Sequence, residues 1–335
     1  GKKEGQTEGI AGARIESSRW VDPVRISFQN IQGGFTGDEG ARANMMATRW
    51  GKGGIWGMAE MNNITGDSME RKWKEANDNP NIPYKTIWAG KKRDGPGAGM
   101  ALFIPKDMSN GEEKVVYAHE EGKALAVHMT IRGLKVQIIM IHMPSTSTAA
   151  QGKFIEHMRK HIPTPEEDRE VILMGDFNMV ETPSMDIDPP TDTQTHEETV
   201  GKLQDWLKHM KPGAGMVDTY RLIHRTAHGI THISQNKAQT QQKRLDRIYA
   251  STGLAAGYPR LVEADIIAAN RLGVRICKGK KAGDIKYSDH AAVTVMIART
   301  ITEQDGRQGK KGNKLWTYSE PRTPEGRERI DRATG

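Results

Sequence analysis

The sequence predicts an α/β protein, and three observations carry that prediction. Residues 171–178 read Val-Ile-Leu-Met-Gly-Asp-Phe-Asn; four apolar residues running straight into a polar end mark a short strand buried on both faces. Residues 99–104, 114–119 and 125–131 are strand-length apolar stretches spaced as an antiparallel meander. Between the strands lie stretches with helical spacing at 69–76, 154–161 and 200–210, and from Asp38 to Trp50.

In chain order, residues 24–31 alternate Val24, Ile26 and Phe28 against polar partners, a strand with one buried face and Asn30 near its end. Gly33, Gly34 and Gly37 make a loop, and Asp38 caps a helix carrying Ala41, Met45, Met46 and Trp50. Residues 55–61 predict an apolar strand with Glu60 near its end, 84–89 a further strand, and 91–99 a basic loop rich in Gly and Pro. The apolar strand 134–141 runs into His142, Pro144 and a Ser/Thr cluster, and Pro163 and Pro165 end the helix that follows. Residues 181–198 are acidic and rich in Pro and Thr, and predict a long surface loop. Asp218 and Arg221 share one short segment as an expected ion pair. Residues 231–234 predict a short strand, 235–243 are polar and basic, and 244–250 alternate with Asp246 among apolar neighbours. Tyr287-Ser288-Asp289-His290 leads into the last strand, 291–297.

With 335 residues, 36% hydrophobic and 27% charged, the chain can bury a large core as one large domain or two. No apolar run is long enough to cross a bilayer, and no N-terminal signal pattern is present. The single cysteine, Cys277, excludes an internal disulfide framework and a thiolate zinc cluster. It fits a reducing compartment, nuclear or otherwise intracellular. The net charge of +7 points to a polyanionic partner. Gly1 in place of Met leads to the expectation of a piece cut from a longer chain. Residues 1–20 read as a flexible lead-in and 301–335 as a basic, polar extension or linker, with Leu315-Trp316 a small apolar anchor within it.

Eight polar residues stand at the ends of apolar strands: Asn30, Glu60, His142, Asp176, Asn178, Asp246, Asp289 and His290. Core strands rarely carry so many ionisable residues. If all meet at one edge, hard oxygens without thiolates favour Mg²⁺ or Mn²⁺. Such a set suits a phosphodiester, because the metal neutralises charge, a base activates water and neutral donors grip the oxygens. Each feature also has a plainer reading. Residues 175–178 can form an ordinary Asx turn. Glu60 can stand in solvent just past its strand, and His142 can be a satisfied core residue. The basic segments 91–93 and 237–247 can be solvated faces or a groove for nucleic acid.

The ordered set Gln29-Asn30, Ala59-Glu60, His142-Met143-Pro144, Gly175-Asp176-Phe177-Asn178, Arg244-Leu245-Asp246 and Ser288-Asp289-His290 spans residues 24–297. It resembles the endonuclease/exonuclease/phosphatase family, which includes the apurinic endonucleases, DNase I and the neutral sphingomyelinases. The resemblance implies a four-layered α/β sandwich, two packed mixed β-sheets flanked by helices, with residues 21–300 as a catalytic domain. It implies a Mg²⁺-dependent phosphodiester hydrolase, with Mn²⁺ able to substitute. In its terms Glu60 is the principal metal ligand, and Asn30 and Asp289 complete or support the metal shell. Asp176 and Asn178 orient the water and hold the phosphate. His290 is the catalytic histidine and Asp246 the carboxylate that fixes its tautomer. Either Asp176 or His290 takes the proton from water.

Two positions depart from the apurinic pattern. His142 replaces the usual tyrosine, as in DNase I and the sphingomyelinases, and can donate to the phosphate or protonate the leaving oxygen. Ser145 stands where apurinic enzymes often carry asparagine. Both weigh against abasic-site specificity. Within the family, residues 216–221, 231–234 and 244–251 look most like the endonuclease domain of non-LTR retrotransposons, which nicks target DNA and lies upstream of a reverse transcriptase. The implied partners are duplex DNA and a reverse transcriptase domain in the same polyprotein, without a membrane. The alternative keeps the chemistry on another substrate, as an RNA exonuclease, an inositol phosphatase or a phospholipid diesterase. The lack of an obvious hydrophobic membrane-binding loop weighs against the last.

Overall fold

The computed structural model describes residues 20–32, 54–61, 71, 74–90, 99–189, 197–233, 241–256, 260–267, 276–277, 285–286 and 288–300. The expected lead-in, the helix after Asp38, the basic segment 91–93 and the C-terminal extension lie outside them. Residues 20–300 form one compact unit.

In chain order the first strands are β1 (Trp20–Asn30), β2 (Ile55–Ala59), β3 (Tyr84–Ala89), β4 (Met100–Pro105), β5 (Lys114–Ala118), β6 (Ala124–Ile131), β7 (Leu134–His142) and β8 (Glu170–Asp176). They continue as β9 (Ile187–Asp188), β10 (Met216–Asp218), β11 (His232–Ile233), β12 (Gln242–Lys243) and β13 (Asp246–Ser251). The last are β14 (Arg260–Ile267), β15 (Ile276–Cys277), β16 (Ile285–Lys286) and β17 (Ala292–Thr300). One six-stranded sheet has the order β14-β17-β1-β2-β4-β3 and another β10-β13-β8-β7-β6-β5. β9, β11 and β12 make a small third sheet, and β15 pairs with β16.

Both large sheets are mixed, each with a parallel pair at its centre, β1 with β2 and β7 with β8. Parallel neighbours end at the same edge, so Asn30 pairs with Ala59 and His142 with Asp176 in register. The antiparallel partners then bring their beginnings to that edge. β13 sets Asp246 opposite Asp176, and β17 starts where β1 stops.

Strand periodicity explains the layers. In β8, Ile172 and Met174 enter the core between the sheets, with Ile138 and Met140 of β7 and Ile26 and Phe28 of β1. Val171 and Leu173 face the other way, onto a layer formed by helices Thr148–His161 and Glu197–His209. Trp56, Met58, Ala101 and Phe103 form the outer face of the first sheet. The strand expected within 171–178 is therefore β8, which ends at Asp176 and is buried on both faces from Val171 on, as its apolar run implies.

Gly175 is required by close approach. A Cβ there would lie 2.1 Å from the Ile141 backbone oxygen, whereas one on Gly57 would meet only the flexible Met140 and Met174 methyl ends at 2.8 Å. Gly175→Ala is expected to cost about 3 kcal/mol or more, and Gly57→Ala about 1 kcal/mol, in denaturant unfolding.

Two expectations need correction, and one strand was not expected at all. The helix after Pro144 starts at Thr148 rather than 154, because the Ser147 hydroxyl caps it by accepting the Ala150 N–H. Residues 181–198 are not a loop throughout. A short helix, Pro183–Asp186, leads into β9, and Asp186 is buried at 1% exposure. Strand β14 had no distinct sequence signal, since Arg260–Ile267 mixes charged and apolar residues on a strand that closes one edge of its sheet.

Candidate active site

The shared edge gathers the predicted residues. The Asn30 amide donates to Glu60 Oε1 at 3.0 Å and to Asp176 Oδ2 at 2.8 Å, tying the ends of β1, β2 and β8 together. His142 Nε2 lies 3.1 Å from Glu60 Oε1 and 3.9 Å from Asp176 Oδ2. His290 Nδ1 is 2.8 Å from Asp246 Oδ2, and its Nε2 is 3.8 Å from Asp176 Oδ2 and 3.7 Å from Asp289 Oδ1. Asp176 and Asp246 are buried, and Glu60 and Asp289 are half-buried.

The ligand-capable atoms fall into three overlapping groups: Glu60, His142 and Asp176; Asp176, Asp246 and His290; His232, Asp289 and His290. Asp289 thus clusters with the histidines rather than with Glu60. Asn178 donates from its side-chain amide to Met143 O at 2.8 Å, which ties the turn after β8 to the turn after β7. Its backbone N–H bonds Asp176 Oδ1 at 2.9 Å, so the Asx turn exists and the site exists with it. Gln32, Glu60 and Asn178 have φ of 51°, 56° and 47°, three of the four non-glycine positive values among the described residues. Strain of this kind persists where surrounding structure holds it, as in ligand sites.

The electrostatics sort the groups. Burial opposes ionisation of Glu60, but bonds from His142 and Asn30 hold its carboxyl below the ordinary value. Burial likewise opposes the charged form of Asp289, and His232, His290 and Gln32 outweigh it, so its pKa is also low. Burial disfavours the His290 imidazolium, yet Asp246, Asp176 and Asp289 raise its pKa to about 10. Burial pushes the Asp246 carboxyl up, against the pull of His290. Even with His290 charged, four carboxylates face too few cations. The Asp246 and Asp289 Oδ1 atoms are buried and meet no hydrogen-bond donor among the described residues. That surplus, on hard oxygens beside imidazoles, fits a divalent cation. Glu60 and Asp176, joined by the Asn30 amide, are the residues placed to hold it, while Asp289 stands with His232 and His290.

Supporting residues escaped the sequence reading. The His232 ring is tilted against that of His290, with centroids 4.7 Å apart and planes inclined by 53°, and its Nε2 lies 3.6 Å from Asp289 Oδ2. Nothing in Thr-His-Ile marks it, because the contact is made across strands. The Thr231 hydroxyl accepts the Leu245 and Asp246 N–H groups, both at 2.9 Å. Gln151, buried on helix Thr148–His161, donates to Pro144 O at 3.0 Å and Asn178 O at 2.8 Å. It joins the turns after β7 and β8. Gln151→Met leaves both carbonyls without that donor, so unfolding free energy is expected to fall by about 1–3 kcal/mol. If these turns carry the chemistry, steady-state kinetics will show kcat falling with KM little changed.

Two further expectations fail on burial. Asp218 and Arg221 do not pair as a unit. Asp218 caps the short helix Thr219–Ile223 and bonds Arg244 at 2.6 Å, while Arg221 reaches Asp186 at 2.5 Å. The basic segment 237–247 is no groove at its C-terminal end. Arg244 and Arg247 are 2% and 0% exposed and neutralised by Asp186, Asp218 and Glu181. Residues 237–240 lie outside the described residues.

No protein-family model and no curated protein sequence matches the chain. Solved structures do. An AP endonuclease from Archaeoglobus fulgidus superposes with a TM-score of 0.56 at 17% identity, over 81% of this chain and 98% of that one. The AP endonuclease LMAP from Leishmania major gives 0.58 at 13% identity, over 83% and 88%. D. rerio TDP2 complexed with single-strand DNA product gives 0.54 at 15% identity, over 82% and 99%. At these identities the likeness establishes the fold, the DNase I-like α/β sandwich of two mixed sheets with flanking helices.

Proposed function

We propose that this protein is a divalent-metal-dependent phosphodiester hydrolase, and more finely a DNA-nicking endonuclease of a non-LTR retrotransposon polyprotein. The observation that carries the chemistry is the meeting of Glu60, His142, Asp176, Asp246, Asp289 and His290 at one sheet edge. Glu60 and Asp176 would hold Mg²⁺, or Mn²⁺ in its place, which when bound would supply positive charge against phosphate oxygens and lower the pKa of a nearby water.

The residues of the chain divide the remaining work. Asp176 sits between the two imidazoles and accepts the proton of the attacking water. His290, held as an imidazolium by Asp246, donates from Nε2 to a phosphate oxygen. His142 donates from Nε2 toward the leaving oxygen. Asn178 acts through its turn, by fixing Met143 against Asp176.

DNA as substrate draws support from the net charge of +7 and from the DNA product named with the D. rerio structure. The retrotransposon reading, with its reverse transcriptase partner and nuclear or other intracellular site of action, rests on the sequence segments around Asp218, Thr231 and Asp246. Supercoiled plasmid with and without Mg²⁺ tests it. Nicking is expected with Mg²⁺, and is expected to disappear with chelator and in Glu60→Ala and His290→Ala. Intact plasmid alongside cleavage of RNA, an inositol phosphate or a phospholipid would replace the DNA reading with another substrate for the same site. Inertness toward all of them would overturn the hydrolase reading.

A further inference from the structure

We propose that His119 is a positioning residue for the sheet-edge site: by accepting the Glu121 N–H at Nδ1, it fixes the turn whose carbonyls hold the chain at Glu60 and His142. The inference rests on the hydrolase reading and adds to it a residue outside the cluster.

The turn joins β5 to β6, and its backbone bonds reach two other strands. The Glu121 carbonyl accepts the Gly99 N–H at 3.3 Å. The Gly99 carbonyl accepts the Met61 N–H at 3.2 Å, directly after Glu60. The Lys123 carbonyl accepts the N–H of His142 itself at 2.8 Å. A Cβ on Gly122 would lie 2.6 Å from the Ala89 oxygen and 2.7 Å from Gly99 Cα, so the turn cannot shift without displacing Gly99. Glu60 holds a left-handed φ of 56°, a conformation that persists where neighbouring backbone supports it.

Within the turn the Glu121 N–H meets His119 Nδ1 at 3.2 Å. The bond spans two residues, as in an Asx turn. Asn79 and Asn110 use that device elsewhere in the fold, their side-chain oxygens accepting the N–H of Asn81 and Glu112. Histidine differs in one respect: once protonated, Nδ1 cannot accept. The turn therefore requires the neutral ring, with its proton on Nε2.

The surroundings favour that form. The half-buried His119 ring lies against Phe154 and His157 of helix Thr148–His161, with His161 stacked on His157 and Tyr117 bonded to it. Burial first, then His157 and Lys123, holds the His119 pKa below the ordinary imidazole value, against the pull of Glu121 and Glu120. A histidine pKa lowered on folding contributes stability above its ordinary value near 6.5 and loses it as pH falls through the folded one. Acid is thus expected to release the turn, and with it Glu60 and His142.

Amide hydrogen exchange of the full chain by NMR, with plasmid nicking in Mg²⁺, at about pH 8 and about pH 5, on either side of the imidazole range, tests the role. At the higher pH, His119→Ala is expected to lower protection of the Gly99 and His142 amides by about 10-fold, the weight of one ordinary hydrogen bond, and kcat by a similar factor with KM little changed. His119→Asn, which keeps an acceptor at the same position but does not titrate, is expected to restore both. At the lower pH, wild type is expected to fall to the protection of His119→Ala while His119→Asn keeps its own. Wild-type values in His119→Ala overturn the proposal, as does a His119→Asn variant that behaves like His119→Ala. An acid loss equal in wild type and His119→Asn also overturns it. A wild type inert toward every phosphodiester sinks the hydrolase reading instead, and the exchange data still decide whether His119 holds the two segments.

Discussion

Asp246→Asn is expected to lower kcat/KM by about 10²- to 10⁴-fold, the range that a positioned acid–base histidine contributes, and to move the alkaline limb of the pH–rate profile downward. Asp246 is fully buried and accepts the His290 Nδ1–H at 2.8 Å. Its negative charge is the largest of the three that lift His290 to about pKa 10 against the opposing effect of burial. Removing that charge lowers the pKa, so the imidazolium is lost at lower pH and with it the donor to phosphate. The sign for stability agrees. A histidine pKa raised on folding contributes below its ordinary value near 6.5 and loses that contribution as pH rises through about 10. A plasmid-nicking rate profile whose alkaline limb does not move in Asp246→Asn would remove Asp246 from the proposed mechanism.

Asp186→Asn is expected to destabilise the fold by about 3–5 kcal/mol, the cost of breaking a buried ion pair. At roughly 2–4 °C per kcal/mol for a domain of this size, Tm should fall by about 10 °C. Asp186 faces Arg221, Arg244 and Arg247, the last two nearly inaccessible to solvent. Without its charge, the buried guanidinium groups of Arg244 and Arg247 keep, among the carboxylates of the described residues, Asp218 and Glu181. Arg247 also bonds Met179 O at 2.9 Å and Arg244 O at 3.0 Å, so the network braces the chain on both sides of Asp246 and just beyond Asn178. Burial opposes the Asp186 carboxylate, but the three arginines outweigh it and hold its pKa below the ordinary value. A depressed carboxylate pKa stabilises the fold above the unfolded value near 3.9 and ceases to do so as pH falls through the folded one. The Tm gap between wild type and Asp186→Asn should therefore stay constant above about pH 5 and close below about pH 4, as thermal scans across pH would show.

Residues 84–89 and 134–142 form strands almost to the residue. The sequence made these strands legible because apolar runs and period-two alternation mark the faces that strands bury. The site was legible for a related reason: ionisable residues in apolar strands need partners, and here they are one another. What stayed hidden depends on contacts across the chain. Asp186 lies in a stretch of Pro, Thr and acids that reads as solvated, and only its arginine partners explain its burial. Arg244 and Arg247 read as surface charge because their acidic partners are distant in sequence. His232 and Gln151 carry no local mark, since each is defined by the backbone or ring it touches on another element.

Strand β1 lies between β2 and β17, with Trp20 opposite Thr300. A nascent chain emerging from the ribosome therefore carries Asn30, Glu60, His142, Asp176 and Asp246 long before it has His290, and its first sheet stays open until the final strand inserts beside β1. Termination anywhere before residue 290 leaves Asp246 without the imidazole it bonds, so the cluster at the edge is complete only once the start of β17 has been made.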